Sequence, residues 1–488
     1  MRFKLMSASV VLASTLLFWG CSQDKTESVN TGLKEVSNKR IFINGQAQVK
    51  VVNQYGEPVQ AKILIGTSDG VPFKGNFIVT TAAGVAMIPK EWTTPQHVTV
   101  DANGYIRQTL LNQDPSNLTI KLNQTYLATR AEVKGEVTSL PVVNGDKLID
   151  FALVMPGMSR GDLLNFDLNS VISPYSDTLT AVGQSNPIPS NVSLPTQKES
   201  YFIGVTLTKP QYRMYTPSYG PKRVYAARGR FVFKDVVKEL QNGTPFYELI
   251  NYFSILGGGI RDITLTGPST TLDLPGTELE FKSTLKVQSP VAATDEVLLV
   301  LAASDVASSL IPTDIKKPEQ GATLSLSSLA DKPAYVISVI KRKAEFMAAT
   351  PGADRLTAAL TAYTDNIKPV LLPLVENPTI TTTNGIEITL PAAPVKEGIN
   401  PLAVSAMISD LVEVQNGADK ITNVNRRWEV LGAGWNAKIQ LPNWPLDNMA
   451  TKKRVEINFI GSTTNTSTPL DESLIQAATH VTHASKDF

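Results

Sequence analysis

From Arg40 onward, apolar and polar residues alternate with a period of two. The run "AQVKVVNQYGEPVQAKILIG" alternates on both sides of a turn at Gln54-Tyr55-Gly56-Glu57-Pro58. This is the pattern of half-buried strands joined by a short connection. Gly56 permits a positive φ there, and Pro58 fixes its own φ. "NFIVTTAAGVAMIP", "HVTVDANGYIRQTLL" and "LTIKLN" follow in the same style, with glycine turns between them. Strands at this spacing predict a small antiparallel sandwich over 40–124.

The segment 125–287 mixes its signals. "VKGEVTSL", "LIDFALVMP", "SYFIGVTLTKPQYRMYT" and "KRVYAARGRFVF" read as strands. "RGDLLNFDLNSVI" and "FKDVVKELQNG" read as short helices, the second ending at Gly243, and "PFYELINYFSIL" as a third before Gly257-Gly258-Gly259. Proline, asparagine and serine crowd 184–195, which reads as loop. Strands resume in "ELEFKSTLKVQ", "DEVLLVLAAS", "ATLSLSSL", "AYVISVIKRK" and "DRLTAALTAYT", predicting a sandwich over 288–375. After the threonine- and proline-rich joint "NPTITTTNGIEITLPAAP", a fourth sandwich is expected over 376–488. Threonine and valine favour strands throughout. The expected fold is mostly β: tandem immunoglobulin-like or transthyretin-like antiparallel sandwiches, with a few short helices in the second.

Composition narrows the function classes. A hydrophobic content of 42% supports real cores, and 45 Lys+Arg against 44 Asp+Glu leaves no basic field for nucleic acid. A single cysteine excludes an intramolecular disulfide and every cysteine metal cluster, and three histidines leave little for imidazole chemistry. No cofactor is expected.

The first twenty residues read as a targeting segment. Arg2 and Lys4 precede an apolar and small-residue run, Leu5 to Trp19, too short for a comfortable membrane span. Gly20-Cys21 follows. This resembles a bacterial lipoprotein signal, which implies cleavage before Cys21 and lipidation of its thiol. The alternative is an ordinary signal peptide with an incidental cysteine. In such lipoproteins an Asp after the cysteine goes with inner-membrane retention; Ser22 stands there, so outer-membrane or cell-surface placement is expected. Residues 21–39 are polar and lack aromatics, and read as a flexible tether.

Val49, Val51, Asn53, Gly56, Pro58, Val59, Ala61 and Ile63, followed by Thr80, Thr81, Gly84, Val98, Val100, Gly104 and Tyr105, carry a second likeness. Here the segment 40–124 resembles the carboxypeptidase-regulatory-like, transthyretin-like domain. The resemblance implies a non-catalytic sandwich, often extracytoplasmic, and no particular ligand. The zinc carboxypeptidases that carry such a domain need a His-x-x-Glu pair; His97 is followed by Val-Thr-Val-Asp, and His480 and His483 have no such Glu.

Few residues suggest chemistry. Gly157-Met158-Ser159-Arg160-Gly161 matches the G-x-S-x-G elbow that lifts a nucleophilic serine between a strand and a helix. The surrounding chain lacks the repeated β-α units of that fold, so Ser159 reads first as part of a glycine-flexed loop. Asp162, Asp167 and Asp177 lie among Asn165 and Asn169 as a calcium candidate, but Ser170 and Ser176 occupy the glycine and glutamate positions of an EF-hand loop. His480-x-x-His483 on a strand points to opposite faces. The most distinctive polar run is "KPQYRMYTPSYGPKRVYAARGRF", in which Arg213, Tyr215, Tyr219 and Arg223 suit an anionic or sugar-like ligand. The plainer reading is a hairpin whose long side chains cover its neighbours. Trp428, Trp435 and Trp444 would stack on a sugar if exposed, and belong to the core if not.

The expected function is a lipid-anchored, non-enzymatic binding, adhesion or scaffolding module of the cell envelope. Its partners would be the membrane, through the lipid, and an envelope protein or glycan, with no nucleic acid. The alternatives are an envelope serine hydrolase using Ser159 and a glycan-binding surface lipoprotein.

Overall fold

The computed structural model describes residues 46–66, 77–125, 131–139, 148–164, 175–181, 184–189, 192–194, 199–201, 204–206, 211–216, 219–347, 355–383, 385–416, 419–435, 438–442, 452–471 and 473–488. Cys21 and its tether, Asp167 and Trp444 lie outside these residues.

The chain is mostly β, with antiparallel sheets and a few short helices. Its frame is one twelve-stranded sheet. From one edge the strands run Ser309–Lys316, Glu296–Val306, Ala334–Arg342, Arg355–Ala362, His480–Asp487 and Lys453–Ser462. Asn400–Asn416, Asp419–Ala433, Arg107–Gln113, Gln96–Asp101, Lys62–Ile65 and Ile78–Val79 complete it. Every neighbouring pair is antiparallel except Asp419–Ala433 with Arg107–Gln113.

Smaller sheets pack on this frame, and the cores draw on more than one of the expected segments: one joins Met155, Tyr225, Leu299, Leu356 and Val481, another Leu64 and Leu111 with Val404 and Phe459. Gln48–Asn53, with Val85–Met87 and Leu118–Leu122, covers the core of Val49, Val51, Ile63, Val98, Val100 and Ile120. Ser283–Gln288 pairs with Thr323–Ser328 over Leu285, Val287, Val300 and Val336. Thr379–Thr381, Glu387–Thr389 and Lys438–Gln440 cover Ile388, Val404, Ile408, Val455 and Phe459. The segment 125–287 builds a five-stranded and a four-stranded sheet of its own around Val133, Val154, Met214 and Val224.

Strand pairing crosses the expected boundaries as well. Trp428 pairs in register with Arg107, and Leu356 with His483, so the ladder runs across the positions 124 and 375 where separate sandwiches were expected. The physical reason is the edge problem. A strand at the rim of a small sheet presents a row of unpaired N–H and C=O groups, and joining rim to rim satisfies both rows.

Two local readings change. Residues 184–189, expected as loop, form a strand paired with Tyr175–Ala181. Prolines are tolerated at such an edge because the missing N–H faces away from the ladder. "PFYELINYFSIL" makes two 3-10 turns, Phe246–Glu248 and Ile250–Tyr252, and then becomes the strand Phe253–Leu265, which carries the three glycines in its middle. Helices do form at Arg160–Leu164 and at Phe233–Gln241, after which Gly243 takes φ +75°.

The strand His480–Asp487 holds the frame together. It lies between Arg355–Ala362 and Lys453–Ser462, two strands that would otherwise be edges. Its buried His480 and Thr482, and Thr357 on the adjoining strand, have backbone partners overhead. Thr357 Oγ1 donates to the Leu372 carbonyl at 2.9 Å, His480 Nε2 to Val370 at 2.9 Å, and Thr482 Oγ1 to Pro373 at 3.2 Å. The chain through 370–373 thus crosses this part of the sheet with its carbonyls satisfied from below. The His480 ring is 3% exposed, with Nδ1 accepting from Thr479 Oγ1 at 2.8 Å.

Desolvation lowers the pKa of both His480 and His97 below the ordinary 6.5. The folded chain therefore binds fewer protons at these sites than the unfolded chain, and their charging opposes folding. Stability should be fully held above pH 6.5 and fall as pH drops below it. The urea midpoint is expected to hold above about pH 6.5 and to drop as the pH is lowered from there toward about 5.5, and His480→Gln should flatten that slope. An unchanged slope in His480→Gln would rule this residue out as its source.

Candidate functional site

The Arg/Tyr run becomes the strands Gln211–Thr216 and Gly220–Val232, the latter paired along its length with Phe253–Leu265. Gly220–Val232 is buried on both faces. Val224 and Ala226 enter one core, and Tyr225 and Ala227 the other. Small residues and glycines are needed where sheets approach this closely. A Cβ on Gly257 would overlap the Leu279 carbonyl, on Gly258 the Ala226 carbonyl, and on Gly259 the Pro275 carbonyl.

The polar members of the run are mostly turned to internal use. Arg223 grips Asp262 with two parallel bonds, Nε to Oδ1 at 2.6 Å and Nη2 to Oδ2 at 2.8 Å. Its third nitrogen, Nη1, donates to the carbonyls of Val306 at 3.0 Å and Ala307 at 2.6 Å. Those residues lead into the tight turn before Ser309–Lys316, where Ala307 and Ser308 have φ +49° and +67°. One guanidinium thus ties the hairpin to the edge of the large sheet. Hydrogen bonding to Arg223 holds the Asp262 carboxyl below its ordinary range. Around this pair lies an open depression of about 360 Å³ lined by Pro221, Lys222, Arg223, Asp262, Ile263 and Thr264.

Tyr225 is 1% exposed and donates its hydroxyl to the Pro312 carbonyl at 3.0 Å. Tyr212 donates to Leu272 at 2.6 Å. Burial pushes both phenols well above their ordinary value. Arg230 takes Asp150 by two bonds, at 2.5 and 3.0 Å, and Arg228 lies 3.9 Å from the same carboxylate. Asp150 is the partner that sequence spacing could not single out, because it is eighty residues away and becomes adjacent only through strand register.

Two members face outward. Arg213 is 62% exposed yet lies 2.6 Å from Glu132. Against a desolvation penalty, the Ser269 hydroxyl, Arg213 and Lys134 together hold Glu132 below its ordinary range. Tyr219 is exposed just before the hairpin strand. Tyr215 lies on Gln211–Thr216, opposite Glu132.

The tryptophans separate. Trp428 is 2% exposed, donates Nε1 to Thr109 Oγ1 at 2.8 Å, and carries the Arg107 guanidinium 4.4 Å from its ring centre. It offers no free face for a sugar. Trp435 is half-buried, edge-on to Phe459, with Nε1 donating to the Ile460 carbonyl at 3.0 Å. The pair therefore does not form a platform; each indole is held by the sheet it joins.

Ser159 lies between the strand Leu148–Pro156 and the helix Arg160–Leu164, the local order of a nucleophile elbow. Its neighbours are structural. Gly157 N–H donates to the Arg223 carbonyl at 3.0 Å, Met158 bridges Leu310, and Arg160 donates to the Tyr335 hydroxyl at 3.0 Å. Both His480 ring nitrogens are engaged by Thr479 and Val370, and the Nδ1 atoms of His97 and His483 by the Asn112 N–H and the Asn458 side-chain oxygen. Of the calcium candidates, Asp162 lies on the short helix and Asp177 on a strand opposite Ile188. Among the described residues, no group of three or more His, Cys, Asp or Glu could hold a metal ion, and no helix is long and apolar enough to cross a membrane.

No family model matches the chain, and no curated protein matches it in sequence. Some solved structures align with it. The Bacillus anthracis TIE protein is 9% identical at a TM-score of 0.15, over 66% of this chain and 49% of that one, so this chain spans about half its length. BcpA, the major pilin subunit of Bacillus cereus, is 8% identical at 0.17, over 67% and 94%. The pilus adhesin SpaC from Lactobacillus rhamnosus GG is 12% identical at 0.16, over 80% and 42%. At such TM-scores the arrangements differ, and no function is taken from them.

Proposed function

We propose that this chain is an exported, lipid-anchored scaffolding or binding module of the cell envelope, without a catalytic task. The address rests on the sequence: Arg2 and Lys4, the apolar run to Trp19, and Cys21 directly after it. The scaffolding part rests on one structural observation, the twelve-stranded sheet that binds strands from residue 62 to residue 487 into one frame. Side chains that could recognise or transform a ligand, Arg223, Trp428 and His480 among them, act as internal ties of that frame, and Arg230 ties the neighbouring five-stranded sheet. Whatever the module binds would then meet loops and strand rims that this frame holds out from the membrane.

The address is tested by labelling cells with a fatty acid. The native chain should take up label and stay with the membrane, and Cys21→Ala should lose both. An unlabelled native chain would remove the anchor from the reading.

A hydrolase reading keeps one observation in its favour, the strand–serine–helix order at Ser159. A fluorophosphonate probe that labels the native chain and not Ser159→Ala would establish it over the scaffold. No labelling above the variant's background would end it.

A further inference from the structure

The chain at 368–378 crosses the twelve-stranded sheet as a strap with no strand of its own. Among the described residues, no backbone–backbone hydrogen bond reaches it. Before it, the Ile367 carbonyl accepts the Gln288 N–H at 2.9 Å, and after it comes the strand Thr379–Thr381. Its later part is pinned by apolar burial, with Leu372 1% and Val375 4% exposed. The earlier part, 368–371, is held differently. Pro369 is buried and Leu371 half-buried, but Lys368 and Val370 are exposed. The Val370 carbonyl accepts its hydrogen bond from the buried His480 ring.

That ring has room for one proton only. A carbonyl can only accept, so Nε2 carries the proton and Nδ1 presents its lone pair. Thr479 Oγ1 donates to Nδ1 at 2.8 Å, and the same oxygen accepts the Thr463 N–H at 3.0 Å. A second proton on Nδ1 would set donor against donor. The Thr479 hydroxyl would have to turn its hydrogen away, and the ring would hold an unpaired charge inside the sheet.

The surroundings offer that charge no partner. Opposite His480 the flanking strands place Ala359 and Gly461. Their charged residues, Arg355 on one and Lys453, Arg454 and Glu456 on the other, lie level with Ala484 or beyond it. On its own strand His483 turns to Asn458, and Lys486 and Asp487 are further along. On the strap Lys368 is exposed, and Glu376 is held by Arg355 at 2.8 Å. Ahead of the strand, Asp471 caps Ser473.

We propose that 368–371 is an acid-operated latch: when His480 takes a second proton, the Val370 carbonyl releases the ring and this end of the strap lifts. Water then reaches the ring, while Leu372 and Val375 hold the rest of the strap in place. Local opening of this kind needs no ladder to break, so it precedes unfolding of the sheet. Burial lowers the ring's pKa against the opposing pull of the Val370 bond, which is the sign the latch requires. The lifted form binds the second proton better than the closed form. Its population should therefore rise by up to about tenfold for each pH unit below the ordinary 6.5, until the closed ring itself titrates. The latch does not depend on the proposed envelope address, and its failure would leave the labelling result untouched.

The test is NMR of the full chain from about pH 7.5 to 5, with a neutral, soluble nitroxide as the probe of solvent access. Relaxation added by the nitroxide to the Ala359 methyl, buried beside the ring, should rise in step with titration of the His480 ring. The methyls of Val300, buried under another part of the sheet, should stay protected over the same range. His480→Gln keeps an N–H for Val370 and does not titrate, so Ala359 should stay protected throughout. Thr479→Val removes the donor to Nδ1 and should move the ring midpoint and the Ala359 response together to higher pH. An Ala359 methyl that stays protected through the ring's titration, that becomes accessible only together with Val300, or that responds to pH in His480→Gln would overturn the latch.

Discussion

Replacing Thr482 by proline should unfold the frame at its centre. Thr482 is fully buried on a strand with neighbours on both sides, opposite Thr357 on one and Phe459 on the other. Proline removes one ladder hydrogen bond, and its ring crowds the adjoining strand. It also leaves the carbonyls of Leu356 and Pro373 without the hydroxyl that now donates to each at 3.2 Å. A loss of about 3–5 kcal/mol is expected. Thr482→Val keeps the shape and the N–H and loses only the hydroxyl, so it should cost about 1–2 kcal/mol. Urea unfolding of the three chains measures both. If the proline variant unfolds within error of the valine variant, the strand is not the central tie that its two ladders make it.

The second large effect concerns one hydrogen atom. Gly259 sits where the strand Phe253–Leu265 passes under the Pro275 backbone, and a methyl group there would overlap the Pro275 carbonyl oxygen and its ring. The neighbour is backbone, so no rotamer change relieves the overlap. Two sheets would have to separate, and Gly259→Ala should cost about 3 kcal/mol. Gly267, with open space around its Cβ position, is the control, and Gly267→Ala should be near neutral. Equal melting temperatures for the two alanine variants would contradict the close approach.

Both effects mark where one-dimensional reading stops. Gly257-Gly258-Gly259 reads along the chain as the end of a helix and a break. In the fold it is a strand interior, because glycine's missing side chain is needed by a neighbour sixteen residues on, at Pro275. "THVTHAS" reads as an edge or a tail, since threonine, serine and histidine lower its hydrophobicity. Those polar groups are buried because the chain at 370–373 supplies carbonyls above them, a partner far from 482 in sequence. The Arg/Tyr run was visible as a concentration of unusual residues. Its use as internal ties depended on Asp150, Asp262, Pro312 and Ala307, which only strand register brings near.

The sequence by itself determined what repeats locally: strand period, turn glycines and the charge balance, the first two set by neighbours within a few residues. Arg2, Lys4, the apolar run to Trp19 and Cys21, on which the proposed address rests, are linear features as well. Tertiary structure decided the rest. Hydrogen bonds between rims joined three of the four expected segments into one frame, and strand register gave Arg223, Arg230, Trp428 and His480 internal partners. A rim's partner depends on which rims meet in space, and that is a property of the whole fold rather than of any segment.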